Sequence, residues 1–535
     1  MFKPGKSIAL LLIVAQSALS ASHAAHVQKP LDIDMTDILK QPYSNYAGES
    51  GESRHSHGPE LPEMGDSSGT VFTPMQEKEL GEAFFRSLHG EVEVNQDLEI
   101  SEYIQALGQK LAANSDTPAQ PFHFFVVQDP SINAFAGPGG YIGVNAGLIL
   151  VSEAESELAS VLGHEIAHVT QRHLYQALQA QGKIQLLSFA AMIAAMLVGS
   201  RMGGSSYQNQ AYCVSRSQGC QGNTNAGQGL AMAAMGAGTQ AMINFTRDNE
   251  AEADNIGMQI LSRSEFDPRS MPDFFERMQQ STRFAGHGTP EFLLTHPVTV
   301  SRISDTRSRA EKFAYRQYPD GLPYQLVRAK LRVTSARTPR EAVDYFRSLI
   351  NQGTPQQRDV SRYGLGLALA ADSKIDEGKK LLQTLVADYP NQSHFVNALA
   401  KMEMDSHNYP KAMDIYTAAR ERFPANEAIR LNYVQALLVM HKPEPARRLL
   451  EEVIHGAVTP EMYEMLAQAY SQQGDEAESH RYLAEAYYAD GQTRTALLHL
   501  KLARKLSNDN FYLNAVIDDR LRKFSDEEKE RRNEK

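Results

Sequence analysis

His164-Glu165-Ile166-Ala167-His168 is the stretch on which the reading of this chain turns. Histidines four residues apart share one face of a helix, so both imidazoles can reach a single metal ion. The flanks read as helix, Ala154 to Leu162 before and Val169 to Ala180 after, with no proline. Glu165, beside the first histidine, can act on a water that the metal activates without ligating the metal itself. The same five residues would also suit an exposed charged helix, so the reading needs a third ligand.

A catalytic zinc takes three protein ligands and keeps one position open. A histidine ten positions after His164 would be one solution, but that position is Leu174. His173 is one residue off, and a continuous helix would point it elsewhere. A carboxylate from a second helix is the better donor. The run Arg247-Asp248-Asn249-Glu250-Ala251-Glu252-Ala253-Asp254 offers one. Glu250 is the candidate third ligand, and Asp254, one turn later, could accept the spare ring N–H of a ligand histidine. Taken alone, such an acidic run more often only solvates a helix face.

The two motifs together resemble those of the M48 (HtpX-type) zinc metallopeptidases. The segment Asn133-Ala134-Phe135-Ala136-Gly137-Pro138-Gly139-Gly140-Tyr141-Ile142 resembles what precedes the zinc helix in that family. Thr295-His296-Pro297 with Arg302 resembles a later element. The resemblance implies a zincin-like metalloprotease domain, one Zn²⁺ per chain on His164, His168 and Glu250, and Glu165 as the catalytic base of peptide hydrolysis. It implies an edge strand above the metal to which a substrate chain can add. It places Arg302 beside the site. It leaves His296 as either a regulatory fourth zinc ligand or a structural or transition-state-stabilising residue. The match is weakest between Val198 and Gly229, a Gly/Ser/Asn/Gln-rich insert holding both cysteines.

Residues 1–24 read as a secretory signal, with Lys3 and Lys6, an apolar Ile8–Ala15 core and small residues at Ser22-His23-Ala24. The apolar run is shorter than the ~20 residues that span a bilayer. In an exported chain Cys213 and Cys220 are expected to form a local disulfide rather than a metal site. The formal charge is −11, which argues against nucleic-acid binding. Residues 25–73 form a polar N-terminal segment in which His55 and His57 are expected to be solvated.

The protease domain is expected over residues 74–313, with helices at Glu77–Leu88 and Asp97–Ala113 and strands at Phe122–Val127 and within Asn133–Val144. Ile184–Val198 reads as a buried or groove-covering helix rather than a membrane span, and with the apolar Leu230–Phe245 it flanks the insert, a loop that could touch a membrane surface or a partner. Over residues 320–520 the chain repeats: Pro390 and Pro424 are 34 apart, as are Gly378, Ala412 and Ala446, and Leu365, Leu399 and Tyr433. That period is the tetratricopeptide signature and predicts an α-solenoid with a docking surface separable from the chemistry. Residues 521–535 read as a charged, frayed tail. The fold class is therefore mainly α with a small β element. Export signal, zinc motifs and repeats together resemble the exported members of the family in Gram-negative bacteria. This implies a periplasmic endopeptidase acting on unfolded or misassembled outer-membrane β-barrel proteins, with the barrel-assembly machinery as partner of the repeats. The competing class is a chaperone-like adaptor whose protease site is self-silenced.

Overall fold

The computed structural model describes residues 72–89, 91–179, 247–284, 291–316, 318–453, 459–508 and 510–533. The expected signal and polar segment, both apolar segments around the insert, and Cys213 and Cys220 lie outside the described residues. The chain divides into two compact units, Glu77–Ala436 and Leu437–Lys535 with the residues up to Gln76. Among the described residues no helix is long and apolar enough to cross a membrane.

The first unit begins with α1 (Pro74–His89) and α2 (Leu98–Ala112). Asp97 caps α2 by accepting from the N–H groups of Glu99 and Ile100, a contact typically worth about 1 kcal/mol. Ile100, Ile104, Leu107 and Leu111 recur at helical spacing and are buried. Strands β1 (His123–Val127), β2 (Ala134–Ala136) and β3 (Tyr141–Asn145) form one sheet in the order β1-β3-β2. β1 runs parallel to β3, and β2 antiparallel to it. The sequence predicts one strand where the structure has two. Gly139 and Gly140, at φ 70° and 79°, reverse the chain in a 3-10 turn, so Ala134–Ala136 folds back onto β3. β2 is thereby an edge strand.

After α3 (Ala146–Val151) comes α4 (Glu155–Thr170), which carries the histidine motif and is buried along most of its length. It does not run on to Ala180 as the flanks predict. It stops at Thr170, Arg172 adopts φ 57°, and α5 (His173–Gln179) starts in a new direction. Arg172 is held there by an ion pair with Glu77. A second helix, α6 (247–263), carries the acidic run. It is followed by α7 (Ser270–Phe284), α8 (Glu291–Thr295) and α9 (Val300–Ala310).

One core joins α2, the sheet, α4, α6, α7 and α9. It also takes Tyr324, Val327 and Leu331 from α10 (Leu322–Thr334). The opposite face of α10, Leu326 and Ala329, belongs to the next core. There it packs with α11 (Pro339–Leu349), α12 (Pro355–Ala371), α13 (Ile375–Asp388) and α14 (Ser393–Asp405). α15 (Tyr409–Arg422) and α16 (Glu427–Val439) continue the hairpins.

The repeats here are not a free-standing array. Lys330 on α10 pairs with Asp97 and Glu99, both at 2.6 Å, and Asn397 on α14 donates to Glu99 Oε1 at 3.0 Å. Glu99 is buried, and burial alone would raise its pKa. The Lys330 ammonium outweighs this and holds the carboxyl below its ordinary value.

The second unit contains α17 (Pro443–Val453), α18 (Pro460–Gln472), α19 (Glu476–Ala489), α20 (Thr493–Leu506) and α21 (Phe511–Asn533). Tyr488 on α19 stacks on Phe524 on α21, and Arg520 pairs with the buried Glu485 at 2.9 Å. The expected frayed tail is therefore in part a helix: α21 runs to Asn533, and Phe524 is fully buried.

Candidate metal centre

Position begins with a close backbone approach. A Cβ on Gly257 of α6 would stand 3.1 Å from the backbone nitrogen of His164, and one on Gly163 would meet Gly257 O at 3.3 Å. With hydrogen alone at both positions, α4 and α6 can cross at near backbone contact. That crossing brings Asp254 and Glu250, one and two turns before Gly257, onto the histidines.

Ligand atoms of His164, His168, Glu250 and His296 all lie within 4.8 Å of one another. His168 Nε2 is 3.0 Å from His164 Nε2 and 3.3 Å from Glu250 Oε1. His296 Nδ1 is 3.3 Å from His164 Nε2 and 3.0 Å from Glu250 Oε1. Four donors bonded at ~2.0–2.1 Å to one tetrahedral ion are separated by roughly 3.3 Å. The spacing and the nitrogen/oxygen chemistry of the donors both fit zinc. So does Glu165, whose Oε1 is buried and accepts no hydrogen bond. His296 Nε2 stands 3.4 Å from that oxygen.

The electrostatics favour a cation. Burial would depress the pKa of His164, yet the hydrogen bonds to Asp254 and Glu250 outweigh it and raise the value to about 9. Burial dominates at His168 and pushes its pKa down to about 3, which keeps that imidazole neutral, the form a metal needs.

The outer contacts place the remaining expected residues. Asp254 Oδ1 is 3.0 Å from His164 Nδ1, within reach of the ring nitrogen that faces away from the cluster. Arg302 sits at the start of α9, whose N-cap Thr299 accepts from the Arg302 N–H. Its guanidinium meets Glu250 Oε2 at 2.6 Å and lies over the Phe275 ring. His296 is carried by α8. The Phe292 N–H donates to Ile132 O at 3.0 Å, and Phe292 O accepts from the His296 N–H at 2.8 Å. The fully buried Phe292 ring anchors the loop, a burial worth about 1.5–3 kcal/mol.

The sequence reading missed two features. His173 does not point elsewhere: its Nδ1 lies 3.0 Å from His168 Nδ1, because Arg172 breaks the helix and turns the next residue back. The Gly163–Gly257 crossing was also missed, although a glycine directly before the first histidine, and another one turn after Asp254, were signals for it. A cleft of about 210 Å³ opens onto the cluster, lined by Phe135, Ala136, Glu165, His168, Val169 and Tyr175 among others. Edge strand β2 forms one wall.

The profile of peptidase family M48 matches residues 100–310, and a tetratricopeptide-repeat profile matches residues 403–469. The chain is 30% identical over 445 residues to the beta-barrel assembly-enhancing protease of Yersinia pestis, covering 82% of this chain and 86% of that one. The chain belongs to peptidase family M48. The M48 protein of the same name from Escherichia coli K12 is 29% identical over 444 residues, covering 83% of this chain and 86% of that one. The mitochondrial metalloendopeptidase OMA1 of Danio rerio is 27% identical over 212 residues, 38% of each chain. This M48 chain is a zinc metalloendopeptidase with tetratricopeptide repeats.

Proposed function

We propose that the chain is a periplasmic endopeptidase of outer-membrane protein quality control. In this reading it degrades misassembled β-barrel proteins and assists the assembly of the rest. The observation that carries the proposal is the four-donor cluster beside edge strand β2. The names of the relatives supply the client class. Residues 1–24 would direct export, residues 74–313 would cut, and the repeats over 320–520 would meet the barrel-assembly machinery.

His164, His168 and Glu250 would hold one zinc. Bound there, zinc supplies Lewis acidity to the scissile carbonyl and lowers the pKa of water. Glu165 Oε1, buried and free of hydrogen bonds, takes the proton of the attacking water and passes it to the leaving amine nitrogen. β2 offers main-chain groups to an unfolded segment, a contact indifferent to its sequence. Asp254 orients His164, and Arg302 fixes Asp254 and Glu250.

His296 completes the set of donors, which favours a resting state in which the fourth position is shut. The same contact supports the second reading, an adaptor that cleaves rarely. Zinc content, with cleavage of an unfolded barrel protein by wild type and Glu165→Gln, tests the proposal. One zinc per chain and cleavage only by wild type are expected. A chain without zinc, or a Glu165→Gln variant as active as wild type, would overturn it.

A further inference from the structure

We propose that His173 is a positioning residue that holds His168 in its metal-binding tautomer, with Glu252 behind it. The inference rests on His168 being a ligand, as proposed above. His168 Nε2 faces the cluster, 3.0 Å from His164 Nε2 and 3.3 Å from Glu250 Oε1. To bind a cation there it must present a lone pair, so the ring proton sits on Nδ1. That nitrogen is 3.0 Å from His173 Nδ1. Two ring nitrogens at this distance share one proton, so His173 Nδ1 accepts. The His173 proton then lies on Nε2, which points to Glu252 Oε2 at 3.5 Å. The chain of polarity is continuous, from the Glu252 carboxylate through His173 to His168 and the metal position.

The arrangement matches the one across the site. His164 Nδ1 is backed by Asp254, which stands two residues after Glu252 on the same helix. Both ligand histidines are thus oriented from the acidic run, His164 directly and His168 through an imidazole. His173 is buried, so no solvent competes for the His168 N–H, whereas Glu252 is half exposed and contributes less. The left-handed Arg172 is what allows this. In a helix continuing through residue 173, five residues on, the imidazole would lie about 140° round the axis from His168.

The test is zinc affinity of the full purified chain, by competition with a chromogenic chelator, and the visible spectrum of the cobalt(II)-substituted form. His173→Leu removes the acceptor. His173→Asn restores it, because Oδ1 of asparagine falls where Nδ1 of histidine stood. Expected are about 10–100-fold weaker zinc binding and an altered cobalt spectrum for His173→Leu. His173→Asn should be close to wild type in both. Leucine binding zinc as tightly as wild type, or asparagine as poor as leucine, overturns the proposal. If the leucine variant does not fold, His173→Ala is read in the same way. A His164→Ala control separates the two readings: if it keeps full zinc affinity, the site assignment fails first and this inference falls with it.

Discussion

Arg302 grips Asp254 with two arms of its guanidinium, Nε to Oδ2 at 2.6 Å and Nη2 to Oδ1 at 2.8 Å. Both side chains are buried, and the third arm reaches Glu250. Removing the cation would leave two buried carboxylates facing each other across His164. Arg302→Leu should therefore cost about 3–5 kcal/mol of stability and weaken zinc binding about 10–100-fold. Denaturant titration and chelator competition measure the two. Unchanged zinc affinity would show that Arg302 does not position Glu250.

Glu165→Gln keeps the shape of the side chain and removes its basicity. Zinc content and thermal stability should stay close to wild type. Turnover of an unfolded substrate should fall about 10²–10⁴-fold or more. Turnover near wild type would take the proton-transfer role away from Glu165.

His296→Ala opens the fourth position of the cluster while leaving His164, His168 and Glu250 in place. Cleavage should rise, with self-cleavage appearing on gels of the purified chain and zinc remaining bound. A fall in turnover at constant zinc would instead make His296 an assistant in catalysis.

Stability should also report on the contact between α2 and the repeats. Glu99 is held below its ordinary value of 4.5, so its ionised form is favoured by folding. Its contribution is fully present above about pH 4.5 and is lost as pH falls through the lower folded value. Lys330→Met strands Glu99 and should cost about 3 kcal/mol at pH 7. The penalty should shrink on acidification, and adding Glu99→Gln should recover part of it. Thermal melts of the single and double variants from pH 7 to pH 4 would show this. A penalty independent of pH would mean that Lys330 acts by packing alone.

The site was more legible than the scaffold around it. His164, His168, Glu250 and Asp254 announce themselves because helical spacing fixes which side chains share a face. His296 and Arg302 came only through resemblance, since no local rule says that α8 returns to α4. Where backbone geometry departs from the regular elements, composition was silent. Arg172 carries no turn signature, yet takes φ 57°. Ser373 and His407, 34 residues apart, both sit at φ near 60° between the paired helices, where glycine or asparagine would have advertised the turn. The repeat period was plain because small residues must recur where helices cross, and Ala412 and Ala446 are both fully buried. The tie between α2 and the repeats left no trace in the sequence. Asp97, Glu99, Lys330 and Asn397 look like surface residues until the fold brings them together.

Helix α10 binds the two halves of the first unit to each other, one face in each core. Every residue of the metal cluster and of its outer contacts lies at or before Arg302, but the core beneath them closes only with Tyr324, Val327 and Leu331. The candidate site thus depends on packing from a helix that begins about twenty residues after its last member in sequence. The same helix starts the first hairpin of the repeats. The protease core and the first hairpins of the repeats therefore share one helix as a common wall, so a change that shifts α10 is felt on both sides.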